Sequence, residues 1–334
     1  VQWSEGSLVP WVMAFIGVDF CYYWFHRSSH HVHLLWAIHV VHHQSEEMNI
    51  SVALRQTWFS DASALLFFWP LPLLGVPIEA FFAAVGVLSL YEASLHTRLT
   101  ERPGVWGWIF NTPAHHRLHH GTDAPYLDRN FASSMIIWDR LFGTFARKTV
   151  EPHYGTLEPL RSYNPLWAQL QPVLHLIHKA RACAQWRDRI GVLIMPPRWT
   201  PPSLPADWYT PPPERVLRSH PVLDAYALMH AMIIGATAFV LLWFEHRIGV
   251  GESALFVFLI IWATGALGGV LEGRAWAIPL ELLRLALLTA ISGYIAQSYD
   301  ADWVVWVGMA LSTLSLGLLF YLRGVQVALC GQNA

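Results

Sequence analysis

"HRSSHHVHLLWAIHVVHH", residues 26–43, places seven histidines in eighteen positions, directly after an apolar segment that ends in "FCYYWF". On an α-helix, residues three and four apart share a face, with Cβ atoms roughly 5–6 Å apart. That spacing aims His26 and His30 at one point, and His39, His42 and His43 at another. "HRLHH" repeats the second pattern with His116, His119 and His120, and "EASLH" sets Glu92 four residues before His96 at the end of an apolar limb. With 18 His in 334 positions, a single HxxHH arises by chance in roughly one chain in twenty, so two of them beside an HxxxH point to metal binding. A tract that merely bound metal at a surface would have no reason to keep helical spacing or to begin where an apolar helix ends. His33, His153, His220, His230 and His246 lack a partner at ligand spacing, and the lone i, i+3 pair His175 and His178 matches chance, so these are read as structural.

Nine imidazoles exceed the four ligands of a zinc site and the six of an octahedral one, which implies two metals. Neutral imidazole suits Fe, Zn and Cu alike, so ligand type does not choose among them. Function does. Nitrogen ligands leave most of the dication charge uncompensated, which favours a strong oxidant derived from O2. Zinc has no redox chemistry and would fill the site only as an inert substitute in a purified sample. Glu92 is the candidate catalytic carboxylate, as a direct or water-bridged ligand or as the orienter of His96.

Around the histidines the chain is 54% hydrophobic and 13% charged, with 18 Trp, too little polar surface for a water-soluble globule. Apolar runs near the roughly 20 residues of a membrane crossing recur at about 8–25, 61–75, 78–95, 222–244, 254–272, 277–297 and 303–322. The first limb of the hairpin over residues 61–95 is short and carries Pro70 and Pro72, which suggests a re-entrant or tilted helix. Most Lys and Arg lie between Arg98 and Arg218, which places that segment on the cytoplasmic side. "PPRWTPPSLPADWYTPPP", residues 196–213, cannot enter a helix interior and reads as a linker along the membrane surface. "NFASSMIIWDRLFGTF" reads as an amphipathic helix over the metal cap, ending at Gly143. Three scattered cysteines form no CxxC, and a net charge of −2 gives no reason to expect nucleic acid. An apolar run begins almost at Val1, so preceding helices in a longer chain are expected, and no cleavable signal pattern is visible.

The expected fold is all-α: an integral, multi-pass membrane bundle with a cytosolic histidine-rich helical cap that holds a dinuclear metal site. Residues 1–195 form the histidine-box domain, 196–221 the Pro-rich linker, and 222–334 a C-terminal membrane region of about four helices.

The boxes resemble those of the fatty acid hydroxylase / sterol desaturase superfamily, membrane di-iron oxygenases marked by HxxxH, HxxHH and HxxHH. Within it the chain is most similar to the alkylglycerol monooxygenase family, on "GVDFCYYWFHR", "HHQSEEMNISVALRQT", "LHTRL", "NTPAHHRLHHG", "DRNFASSMIIWDRLFGTF", "EPHYGTLEPLRSYNP" and, more faintly, "LEGRAWAIPLELLRL". The resemblance implies two iron ions, O2, and hydroxylation of a long-chain membrane lipid at the carbon next to an ether oxygen, releasing an aldehyde and a glycerol derivative. It implies the ligands His26, His30, His39, His42, His43, His96, His116, His119 and His120, with His115 an outer candidate. His31 stands where the pterin-using branch carries an acidic residue, and Glu92 where an uncharged amide is usual. The electron donor therefore stays open among tetrahydrobiopterin, a ferredoxin and a cytochrome. Arg55 and Gln56 in "ALRQT" are candidates for the lipid's polar head, although an Arg that snorkels to phosphate fits Arg55 equally. The boxes do not separate this activity from a sterol methyl oxidase, a fatty-acid hydroxylase or a carotenoid hydroxylase. A reading of another class is a histidine-rich protein that handles metal ions across the membrane; it requires ionisable residues along a path through several spans.

Overall fold

The computed structural model describes residues 3–4, 6–210, 220–299 and 302–331, and among them no strand forms, only an isolated bridge between Gly121 and Tyr154. Residues 211–219 of the expected linker lie outside the described residues. The chain divides into two compact units, Val1–Leu160 with Gln169–Pro211, and Arg161–Ala168 with Pro212–Ala334. Much of the Pro-rich segment thus counts with the first unit, and a short stretch before residue 169 counts with the second.

In the first unit the α-helices are α1 (Val9–His31), α2 (His33–His43), α3 (Ile50–Ala53), α4 (Ser60–Phe68), α5 (Pro70–Leu73), α6 (Ile78–Leu95), α7 (Pro113–His119), α8 (Ile137–Leu141), α9 (Pro165–Ala182) from Gln169 on, and α10 (Trp186–Ile194). One core joins Ala14, Val18 and Phe25 of α1 to Phe68 of α4, Leu71 of α5 and Ala80, Ala84 and Leu88 of α6. Gly17 is what admits Leu71: a Cβ there would lie 2.6 Å from Leu71 Cδ2. At about 1.5 Å per residue, α4 reaches under half the roughly 30 Å of a bilayer core. The first hairpin limb is therefore broken at Trp69 and turns at Gly75 into α6. Leu66, Leu73, Phe82 and Leu90 stay exposed on this layer, an apolar outer face of the kind lipid covers.

Among the described residues, three helices are long and apolar enough to cross a membrane: α6, α11 (Pro221–Trp243) and α12 (Val250–Leu271). α1 has the length, but Asp19, Tyr22 and Tyr23 interrupt its apolar run, and Asp19 is fully buried. The second unit also holds α13 (Ala277–Tyr299) and α14 (Trp303–Gly331). Leu223, Tyr226, Val270, Leu285 and Leu319 form its core. Beside them Tyr226 Oη donates to Glu281, Arg284 Nε donates to Glu281 Oε2 at 2.8 Å, and the Arg284 guanidinium donates to His230 Nδ1 at 3.0 Å. His230 Nε2–H then donates to Ser315 Oγ at 3.1 Å, whose hydroxyl donates to the Leu311 carbonyl at 2.6 Å. Tyr226, Glu281, Arg284 and His230 thus close on one another.

Around α2 the first unit builds a second core from Ala37, Leu176, Cys183 and Val192, with Trp199 and Leu204 of the Pro-rich segment packed against it. Lys179 Nζ donates to the carbonyls of Pro197 and Trp199, at 3.2 and 3.1 Å. The tryptophans of this segment thus have protein partners, Trp199 in this core and Trp208 beside His175.

The expected amphipathic helix in "NFASSMIIWDRLFGTF", ending at Gly143, is replaced by a loop and the five-residue α8. Two buried carboxylates compete for the backbone donors a helix would use. Asp139 accepts from the N–H groups of Phe131 and Ala132, both at 2.8 Å, and from Thr144 Oγ1 at 2.6 Å. Asp19 of α1 accepts from Ser134 N, Ser134 Oγ and Trp138 Nε1, at 2.8, 2.7 and 2.7 Å.

Candidate metal centre

Four elements bring the histidines together. α1 ends at Val32, whose extended backbone (φ −114, ψ 116) breaks the helix directly after His26 and His30. α2 carries His39, His42 and His43, and His96 caps the C-terminus of α6. α7 starts on the cap Thr112, with Pro113 in its first turn, and carries His116 and His119, with His120 as its C-cap. The nine rings fall into two buried groups, His26, His30, His39, His43 and His119, and His42, His96, His116 and His120. Within each group the ligand atoms lie within 4.8 Å of one another.

This division corrects the expectation that each HxxHH aims at one point. At 3.6 residues per turn, position i+4 lies about 40° to one side of i and i+3 about 60° to the other. His39 and His43 therefore serve one group and His42 the other, while His116 and His120 serve the second group and His119 the first. α2 and α7 both contribute to the two groups, whose rings meet where His43 stacks on His120 at 4.4 Å between centroids.

The atoms behind the rings decide which nitrogen faces inward. Nδ1–H donates to the carbonyl of Phe131 from His26 (2.7 Å), of Arg129 from His119 (2.9 Å), of Arg55 from His42 (3.3 Å) and of Glu92 from His96 (3.0 Å). With the proton on Nδ1, each Nε2 presents a lone pair. His42 Nε2 and His96 Nε2 then face each other at 3.1 Å with no proton between them, and His26, His30 and His119 leave Nε2 buried without a partner. Lone pairs in contact repel, and buried acceptors without donors cost about 1–3 kcal/mol each. A cation between the rings removes both costs, so the residues fit a metal in each group. Burial pushes the pKa of His42 down to about 3, the neighbouring His96 adding to it, and burial ahead of adjacent imidazoles holds His43, His116, His119 and His120 well below 6.5. The rings are thus neutral and available as ligands at ordinary pH.

Other expected site residues stand outside these groups. His115 turns its ring to Phe145 (5.4 Å) in space left by Gly107, where a Cβ would lie 3.0 Å from the ring. It sits one turn before His119, yet its ring is turned to Phe145 and belongs to neither group. His31 is exposed, with Nδ1 2.8 Å from the Arg27 carbonyl. The Glu92 carboxylate belongs to neither group and accepts from Tyr22 Oη at 2.5 Å, whereas its carbonyl is what holds His96. Arg55 turns inward: Nε donates to Val41 O at 2.8 Å and the guanidinium to Gln44 at 2.9 Å. Gln56 Nε2 donates to the Ala53 carbonyl at 3.3 Å and lies 3.4 Å from His42 Nδ1.

Sequence reasoning missed the tetrapeptide Asp128–Phe131. Asp128 Oδ1 lies 3.4 Å from His30 Nδ1, Arg129 O holds His119, and Phe131 O holds His26. Asp128 and Asn130 have left-handed φ of 57° and 56°, a conformation that Asp and Asn tolerate better than most residues. Alternate Asp and Asn in "DRNF" was the only signal available. A cavity of ≈170 Å³ adjoins the first group, with His30, Trp36, His43, Asp128, His175 and Lys179 in its wall.

Residues 11–144 match the fatty acid hydroxylase family. Alkylglycerol monooxygenase of Xenopus tropicalis is 30% identical over 307 residues, 88% of this chain and 67% of the relative. That of Danio rerio is 33% identical over 309 residues, 86% and 67%, and that of Homo sapiens 36% over 191 residues, 57% and 43%. The chain spans about two thirds of the length of the first two, and no solved structure matches it. At that identity over that length, the chain belongs to the alkylglycerol monooxygenase family, and all nine grouped histidines fall in the part that matches fatty acid hydroxylases.

Proposed function

We propose that this chain is a membrane monooxygenase that holds two irons on its nine grouped histidines and uses O2 to oxidise an alkylglycerol lipid at the carbon beside the ether oxygen. The observation that carries the reading is the pair of buried groups, one with the Nε2 atoms of His42 and His96 facing each other as acceptors and the other with the Nε2 atoms of His26, His30 and His119 unpartnered, a geometry that calls for a cation in each. Family membership supplies the reaction class, since the matched relatives are named alkylglycerol monooxygenases. Iron, when bound, supplies the redox exchange with O2 that no side chain here provides.

The chain's own groups do the rest. The carbonyls of Phe131, Arg129, Arg55 and Glu92 fix the ring orientations, which keeps Nε2 directed inward. Tyr22 Oη holds its proton against the Glu92 carboxylate, with the Tyr22 ring 5.5 Å from that of His26. Glu92 thus acts on the centre through its carbonyl and as a buried proton partner. The exposed apolar face of α4–α6 admits an alkyl chain from lipid, each buried CH2 contributing about 0.8 kcal/mol. A headgroup met by Arg55 or Gln56 would lie behind His42. Insertion of one oxygen atom takes one O2, two electrons and two protons and releases water; the resulting hemiacetal splits into an aldehyde and a glycerol with a free hydroxyl. The concentration of Lys and Arg between Arg98 and Arg218 supports a cytoplasmic cap. His31 on the surface of α1 leaves the donor open among a pterin, a ferredoxin and a cytochrome.

Loading with ferrous iron without oxygen should give about two irons per chain, and O2 with a reductant and an alkylglycerol should then give aldehyde. Two irons with hydroxylation of a fatty acid or sterol but no ether cleavage would move the reading to those hydroxylases. Uptake of no iron would overturn it. Assaying His31→Glu and the unaltered chain with and without tetrahydrobiopterin assigns the donor: a response in the unaltered chain supports pterin, a response in His31→Glu alone shows that His31 removes pterin use, and none in both points to a protein donor.

A further inference from the structure

Behind the rings, the two groups are not held alike. Four histidines pass their Nδ1–H to backbone carbonyls, whereas His30 Nδ1 faces a carboxylate, Asp128 Oδ1 at 3.4 Å. The other oxygen of that carboxylate accepts from the guanidinium of Arg198. The three side chains form a graded line from solvent inward, Arg198 being 57% exposed, Asp128 28% and His30 6%. All three line the cavity beside the five-histidine group.

A carboxylate behind a ligand imidazole makes the ring a stronger electron donor to its metal and fixes its orientation. A cation on the same carboxylate draws charge away and weakens that effect. We propose that Asp128 is a positioning residue that raises electron donation from His30 to the metal of the five-histidine group, and that Arg198, sharing the carboxylate, sets how far. The inference rests on the reading that these histidines bind metal. It makes the two metals unequal: one is tuned from the solvent side by a charge pair, while behind the rings of the other the described contacts are the carbonyls of Arg55 and Glu92 and the Gln56 amide, with no carboxylate.

The pair of variants Asp128→Asn and Arg198→Met separates tuning from mere structure. Asn keeps a side-chain acceptor and tolerates the left-handed backbone, so Asp128→Asn removes the charge with little else. Arg198→Met keeps the carboxylate and removes the cation. Each protein, full length and loaded anaerobically with ferrous iron, is measured for iron content and for reduction potential by spectroelectrochemical titration. The expected result is opposite shifts, upward for Asp128→Asn and downward for Arg198→Met. Iron affinity should fall about tenfold in the first and stay near that of the unaltered chain in the second. Potentials equal to that of the unaltered chain in both variants, or shifts of the same sign, would overturn the inference while leaving the proposed function standing. Failure of the unaltered chain to take up iron would overturn both. Should Asp128→Asn fail to fold, Arg198→Met at the solvent edge decides alone, since a potential that does not fall is incompatible with the proposal.

Discussion

Two buried polar clusters of this chain close their hydrogen bonds in opposite ways. In the second unit, Tyr226, Glu281, Arg284, His230 and Ser315 donate and accept in sequence until the last proton reaches a carbonyl. In the first, the Nε2 atoms of His26, His30 and His119 are buried with no partner, and those of His42 and His96 face each other as acceptors. A saturated cluster has no place for a guest and serves to join helices. An unsaturated one of the same residue types carries a penalty that a guest removes, and a dication is what nine neutral imidazoles accept.

The sharpest break of that comparison is removal of a ligand. His42→Ala or His119→Ala should lower turnover by at least about 100-fold and abolish the rise in melting temperature that iron gives the unaltered protein. Full turnover in either variant would put the chemistry elsewhere. In the saturated cluster, Glu281→Ala leaves the Arg284 cation without its carboxylate and should cost about 3–5 kcal/mol of stability. Iron per folded chain should stay unchanged, and loss of iron would mean that the second unit is not merely structural.

Metal-free protein offers a test by pH. The grouped histidines have folded-state pKa values below 6.5, His42 at about 3, so the unfolded chain takes up protons first as pH falls. Each such ring should cost about 1.4 kcal/mol per pH unit below 6.5, until its folded pKa is reached. Urea midpoints of the metal-free protein should therefore drop steeply from pH 7 to 5. A flat profile would contradict neutral, buried rings. Smaller effects follow from the loop that holds them. Asp139→Asn weakens acceptance from Phe131 and Ala132 and should cost about 1–3 kcal/mol with partial loss of iron. His115→Phe should change stability by under about 1 kcal/mol and leave iron content alone, because that ring faces Phe145 and neither metal group.

The histidine positions were legible because a ligand needs a particular side chain and a helix needs a fixed period. His39, His42 and His43 show both in five residues. How that trio divides was not legible, since it depends on where α1, α6 and α7 arrive in space. The carbonyls of Arg129 and Phe131 carry no signal at all, as every residue has a carbonyl. "NFASSMIIWDRLFGTF" misled for a related reason: its apolar pattern fits a helix, but Asp19, over a hundred residues earlier, captures donors from Ser134 and Trp138. Arg55 reads from sequence as a cation for a lipid headgroup or phosphate; its contacts with Val41 and Gln44 carry no sequence signal. Helix α1 has the length of a span, yet Asp19 in its middle is committed to that same loop.

Convergence of the nine rings on two cations is tested most directly by counting iron in anaerobically loaded protein and recording its K-edge X-ray absorption. The expected result is about two irons per chain with a first coordination shell of imidazole nitrogen. Iron bound well below one per chain, or a shell without imidazole, would contradict it.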